Sequence, residues 1–187
     1  VYIYAVRGNA EVDIYRSDAP NTVDTSYSVS QGSYVKHETT TTYQYIIESD
    51  EIVSVFVSPD GDYRPLYPAS KEIYGIPSSN NQLTAVEDNT TVNVVRSDGT
   101  TASNTINRGD SWESGGTGSQ FSGASDYIYA DKPVAAGSQA DSDGGEMTPY
   151  TSVDAFATHF VLPTRAEFVS FVGKNPDAEV SIYDSSG

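Results

Sequence analysis

The sequence contains no cysteine, one methionine, one tryptophan, two histidines and three leucines in 187 residues. Without cysteine there can be no disulfide, thiolate zinc site, iron–sulfur cluster or thiol nucleophile. That absence leaves the compartment open. Bases are also scarce: 10 Lys and Arg stand against 26 Asp and Glu, a net charge of −16. Nucleic acids and anionic membranes bind basic stripes that displace counterions, so neither is an expected partner. No apolar run approaches the roughly 20 residues that a membrane-spanning helix needs, which excludes membrane insertion in that form. The shortage of Leu and Met also removes two of the better helix formers.

What is abundant points one way. The chain carries 19 Val, 10 Ile, 17 Thr and 14 Tyr. These β-branched and aromatic residues suit a pleated, half-buried surface. Hydrophobic residues make up 37% and aromatics 11%, enough for a packed core and unlike a disordered acidic tail. Apolar and polar residues alternate in Glu11-Val12-Asp13-Ile14-Tyr15 and in Thr91-Val92-Asn93-Val94-Val95. Turn pairs fall between such runs at Asp60-Gly61, Asp98-Gly99 and Arg108-Gly109. The expectation is an all-β fold with short or absent helices. Ser152–Ala157 is the best place for a single helical turn, and Thr39–Thr42 reads as a strand with one polar face.

The chain also repeats itself. Residues 5–18 align with residues 85–98, sharing Ala-Val, Asn, Val and Arg-Ser-Asp. The match continues from Ser28–Ser33 to Thr105–Asp110, from Ile47–Val53 to Ile128–Val134, and from Gly75-Ile76-Pro77 to Val161-Leu162-Pro163. Near the end, Ala178-Glu179-Val180-Ser181-Ile182-Tyr183 echoes Ala10-Glu11-Val12-Asp13-Ile14-Tyr15. We therefore expect two β-sandwich modules, 1–78 and 79–165, and the first hairpin of a third over 166–187. Modules of this size with five or more short strands fit tandem immunoglobulin-like sandwiches arranged as a rod or stalk. The incomplete third copy suggests a segment of a longer protein, with one sheet edge left open for association.

The second module resembles a known family. The carrying residues are Leu83–Val92, then Asn107-Arg108-Gly109-Asp110-Ser111-Trp112, then Tyr127-Ile128-Tyr129-Ala130-Asp131-Lys132-Pro133-Val134-Ala135, closed by Phe160-Val161-Leu162-Pro163. Over roughly 45–165 the pattern is similar to the N-terminal-type β domain of IgGFc-binding proteins, found in surface proteins. The resemblance implies an extracellular, non-catalytic adhesive or structural module. The chain lacks the cysteines of the animal members, so immunoglobulin binding is not carried over. A looser similarity, through 140–149 and the strand ending in Leu-Pro, is to virion structural proteins (fibre and decoration) of marine tailed phages.

Candidate chemistry is thin. His37-Glu38 lacks the second histidine that a zinc-protease helix places four positions on. His159 aligns with Ile73 and reads as a packed strand residue. No nucleophile elbow appears, and no acid pair is singled out for glycan hydrolysis. No catalytic residue is expected, and a polysaccharide hydrolase is a remote alternative. Asp141, Asp143 and Glu146 around Gly144-Gly145 form a possible calcium loop, echoed by Asp60 and Asp62 around Gly61. The blander account is good turn chemistry, so calcium is the one cofactor considered. Arg108-Gly109-Asp110 spells an integrin-type tripeptide, but its counterpart Gln31-Gly32-Ser33 marks a turn needing a positive φ at glycine. Ten of the tyrosines crowd the first module. Tyr63 and Tyr67, in the Pro-rich loop 60–68, are the expected interface or ligand residues.

The expected function is a structural part of an extracellular or virion assembly, partnered by copies of itself or other proteins of that assembly. The alternative is an adhesin on a cell or phage surface that holds a host receptor or glycan through its loops.

Overall fold

In the segment Ala10–Arg16, Ala10, Val12 and Ile14 are buried while Glu11 is exposed and the rest are in between. This is the period-two burial that the alternation implies. A computed structural model describes residues 1–40, 42–58, 64–75, 81–96, 99–114, 127–139, 147–153 and 178–181. Among them there is no α-helix, and every named strand pairing is antiparallel.

The first half supplies β1 (Tyr2–Ala5), β2 (Ala10–Arg16), β3 (Val23–Val29), β4 (Tyr34–Lys36), β5 (Tyr45–Ser49), β6 (Val53–Val57), β7 (Arg64–Leu66) and β8 (Ser70–Tyr74). The second supplies β9 (Asn81–Ala85), β10 (Thr90–Val95), β11 (Thr101–Ile106), β12 (Ser111–Ser114), β13 (Tyr127–Gln139), β14 (Met147–Pro149) and β15 (Thr151–Ser152).

Two sheets, ordered β4-β1-β6-β7 and β3-β2-β5, enclose a core of Ile3, Ala5, Ala10, Val12, Ile14 and Val29. That is β-sandwich character: each sheet turns one apolar face inward. The second core gathers Ile73, Leu83, Val92, Val94, Trp112, Ile128 and Val134, with Tyr150 against them. Here β13 runs unbroken for 13 residues. Its first half pairs with β10 and its second with β9, so one strand crosses between layers that β5 and β6 serve separately.

The repeat read in the sequence is carried into strand register. Ile3 faces Val35 and Val55, as Leu83 faces Trp112 and Ala136. Ile14 faces Thr25 and Ile47, as Val94 faces Ala102 and Ile128. The turn hydrogen bonds recur too. Gly32 N–H donates to Ala5 O and Gly109 N–H to Ala85 O, both at 2.9 Å. Their φ angles are +76° and +79°, the left-handed region expected of that turn. The Asp50 carboxylate accepts from Glu11 N–H and that of Asp131 from Thr91 N–H, both at 2.8 Å.

The chain divides into two compact units, Val1–Phe156 and Ala157–Gly187. Within the first, both halves share hydrogen bonds: β8 is laid into the second sheet between β13 and β15. In the second unit only Ala178–Ser181 is described. These four residues are exposed and form no strand, and the rest of the expected hairpin over 166–187 lies outside the described residues.

Two local expectations need correction. Residues 37–40 form no strand. The Thr40 N–H donates to the Tyr45 hydroxyl at 3.1 Å, so a side chain takes the place of a strand neighbour. Ser152, expected to open a helical turn, lies in β15 opposite Ile73. Residues 154–157 lie outside the described residues.

Candidate functional site

Most loop residues singled out from the sequence lie outside the described residues. These are Asp60, Asp62, Tyr63, Asp141, Asp143, Glu146 and His159. Tyr67 is described, directly follows β7 and is 36% exposed. Among the described residues no three metal-ligating side chains stand together.

His37 is buried beneath two tyrosines. Its ring meets those of Tyr27 and Tyr45 edge to face, and its Nδ1 lies 3.2 Å from the Tyr27 hydroxyl. Nε2 is buried and has no partner among the described residues. Burial holds the His37 pKa below its ordinary 6.5, and the charged terminal amine of Val1 pushes the same way. Asp24 and Glu38 oppose the shift. This geometry makes His37 a packed neutral ring of the fold.

Arg108 donates to three acceptors. Its Nε donates to Pro20 O at 2.7 Å, and one terminal nitrogen to Val86 O at 2.7 Å and to Glu48 Oε1 at 2.6 Å. Its guanidinium stacks over the Tyr15 ring, 4.7 Å from the centroid. Desolvation, then Glu48 and Asp13, hold the Tyr15 hydroxyl above its ordinary pKa. The next residue, Gly109, approaches Pro20 so closely that an added Cβ would sit 2.8 Å from the Pro20 Cβ. The Arg-Gly-Asp turn is therefore a joint between the two halves. Its arginine is 14% exposed and committed to internal acceptors, so it is not displayed for an integrin-like receptor.

The exposed counterpart lies on the outer face of the sheet β4-β1-β6-β7. Ile3 and Ala5 point inward, which turns Tyr2 and Tyr4 outward. Tyr4 is opposite Tyr34, and Tyr2 is opposite Phe56. The rings form a contiguous group, with Tyr4–Tyr34 centroids 5.1 Å apart, Tyr2–Tyr34 5.9 Å and Tyr4–Phe56 5.9 Å. Tyr34 is 55% exposed and Tyr4 37%. The corresponding positions of the second half are Gln82, Thr84, Ser111 and Gly137. The same fold and register are thus built there without aromatics, so folding does not require these rings. Exposed tyrosines of this kind are enriched at protein interfaces.

The expectation of an interface at Tyr63 and Tyr67 falls on one residue outside the described residues and on one that is exposed beside β7. The ring group at Tyr2, Tyr4, Tyr34 and Phe56 was not singled out in the sequence, although aligning residues 2–5 with 82–85 shows aromatics where the second half has Gln and Thr. Nothing comparable marked Arg108 as a joint, because its partners lie 22, 60 and 88 residues away.

No family model, no curated protein and no solved structure matches the chain.

Proposed function

We propose that this chain is a non-enzymatic structural module of an extracellular or virion assembly, a shaft or decoration of tandem immunoglobulin-like sandwiches. The observation that carries the reading is β8. The last strand of one repeat pairs with β13 and β15 of the next. Successive repeats are then joined by main-chain hydrogen bonds and the Arg108 contacts instead of a free linker. Such a joint suits a part whose task is to hold neighbours in fixed register. The exposed ring group of Tyr2, Tyr4, Tyr34 and Phe56 supplies a lateral surface for other copies or other proteins of the assembly. The negative charge favours solubility before assembly.

The test is electron microscopy of native particles and cell envelopes labelled with an antibody to this chain. Label at regular intervals along a fibre, tail or capsid is the expected result. Label scattered on the envelope, with none on particles, would refute it in favour of an adhesin, and a glycan-binding screen would follow.

A further inference from the structure

A row of tyrosines crosses the joint between the repeats. In β13, Ile128 and Ala130 are buried, which turns Tyr127 and Tyr129 to the outer face of the sheet. Tyr127 stands opposite Tyr74 and Tyr129 opposite Glu72, both of β8. The Tyr74 and Tyr127 rings lie 4.9 Å apart between centroids, tilted by 35°. Tyr127 and Tyr129 stack at 5.6 Å and 27°. Both separations are those of aromatic rings in contact. Since β8 is the last strand of the first repeat and β13 belongs to the second, the closer of the two contacts bridges the repeats.

The row is graded in exposure. Tyr129 is 41% exposed, whereas Tyr74 and Tyr127 are half-buried. The Glu72 carboxylate accepts a hydrogen bond from the Tyr127 hydroxyl. Burial and then the charge of Glu72 hold that hydroxyl above its ordinary pKa. Tyr127 is therefore a neutral phenol with a base in place to take its proton. The first repeat builds the equivalent strand without these rings, for Ile46 and Glu48 of β5 hold the places of Tyr127 and Tyr129. Strand pairing thus does not require tyrosine there.

Tyrosine is oxidised by loss of one electron and its phenolic proton, and two tyrosyl radicals in contact couple through their rings. We propose that Tyr74 and Tyr127 form an oxidative cross-linking site, at which a one-electron oxidant of the peroxidase class joins the two repeats covalently as dityrosine. Tyr129 is the ring that meets the oxidant, and the oxidation passes inward along the stack. Tyr127 and Tyr74 each give up one electron and one proton. The proton of Tyr127 goes to Glu72 and that of Tyr74 to solvent. The two radicals pair in one carbon–carbon bond between ring positions ortho to the hydroxyls. Each of those carbons then loses its proton while the adjacent oxygen regains one, which restores both aromatic rings and both hydroxyls. In sum two hydrogen atoms leave the protein, and one hydrogen peroxide is reduced to two waters. The chain has no cysteine, so no thiol competes for the oxidant and no disulfide can serve this joint. Its one tryptophan, Trp112, is buried. The site stands apart from the assembly reading, since all its residues lie in one chain.

The test treats a mixture of equal amounts of unlabelled and isotopically labelled chain with a peroxidase and hydrogen peroxide, followed by trypsin and mass spectrometry. Arg96 and Arg108 lie between the two tyrosines. The bond is therefore expected as a linked pair of peptides, lighter than their sum by two hydrogens. A bond between Tyr127 and Tyr129 would stay within one peptide. At about 1 μM protein, an effective concentration of at least about 1 mM favours coupling within a chain over coupling between chains by roughly a thousandfold, so pairs of mixed label should be rare. Tyr74→Phe keeps a ring in place but cannot couple, and should abolish the linked pair. Tyr129→Phe keeps both coupling rings and should slow its formation several-fold. Thermal melts establish that both variants are folded.

No linked pair, a bond confined to Tyr127 and Tyr129, or mixed-label pairs as abundant as unmixed ones would overturn the proposal. A linked pair that forms in Tyr129→Phe at the unmodified chain's rate would overturn the route through the stack.

Discussion

Gly32 and Gly109 occupy the same turn in the two repeats, with the same hydrogen bond and φ angles of +76° and +79°. Their surroundings differ. A Cβ at Gly32 meets nothing within 4 Å, whereas one at Gly109 meets Pro20 Cβ at 2.8 Å and both Pro20 Cγ and Ser17 Cα at 3.3 Å. Gly32→Ala therefore carries only the cost of a left-handed alanine, about 1–2 kcal/mol. Gly109→Ala carries that cost plus a clash with a proline and a backbone carbon, which adds roughly 1–3 kcal/mol. In a chain of this size 1 kcal/mol shifts Tm by about 2–4 °C, so the excess is roughly 2–12 °C. The assay is a pair of thermal melts, with urea unfolding to check that the m-value is unchanged. A double-mutant cycle with Pro20→Gly isolates the contact, because the entropy gained by the unfolded chain on losing proline cancels. The cycle should return about 1–2 kcal/mol of coupling, since removing the proline ring relieves most of the clash. Equal losses for the two glycines, or no coupling to Pro20, would mean that the second repeat's turn is not seated on the first. The Arg108 joint would fall with it.

Arg108→Ala is expected to lose about 2–3 kcal/mol in urea unfolding, because three oxygens lose a charged donor. Arg108→Lys should recover only part of this, since an ammonium cannot reproduce the stacked fork over Tyr15. Glu48→Gln should cost under about 1 kcal/mol because its carboxylate is half exposed. His37 is held below its ordinary pKa of 6.5 in the fold. As pH falls through 6.5, the unfolded chain therefore gains protons that the folded chain refuses, and stability falls; His37→Gln should flatten that slope in melts between pH 7.5 and pH 5. Asp50→Ala and Asp131→Ala should cost equal amounts, about 0.5–1.5 kcal/mol each, as each removes the same backbone acceptor from one repeat. Tyr4→Thr with Tyr34→Ser installs the second repeat's residues; it should leave Tm within about 3 °C while lowering particle incorporation, and an unchanged incorporation would remove the tyrosine face as an interface.

The all-β class was legible because period-two alternation is a local property, fixed by which way successive side chains point. The repeat was legible because a shared register needs the same apolar positions, and Val12, Ile14, Val92 and Val94 are those positions. The conformation of Gly32 and Gly109 was legible for the same reason, since only glycine enters the left-handed region without cost. The strand expected at Thr39–Thr42 failed because β-branched composition marks a preference and not a partner. There the Tyr45 hydroxyl, a few residues on, takes the Thr40 N–H.

The features that bear on function were legible only by comparing the repeats. A repeat conserves what the fold needs, so departures between equivalent positions mark other demands. Leu83 and Ile3 are interchangeable core residues, and their exchange says nothing of role. Tyr4 against Thr84 is different, because a buried neighbour fixes neither and the aromatic is retained at an exposed position where threonine suffices. Arg108 against Gln31 is different again: the second repeat's turn has a neighbour to hold, and that neighbour supplies Pro20, Tyr15 and Glu48.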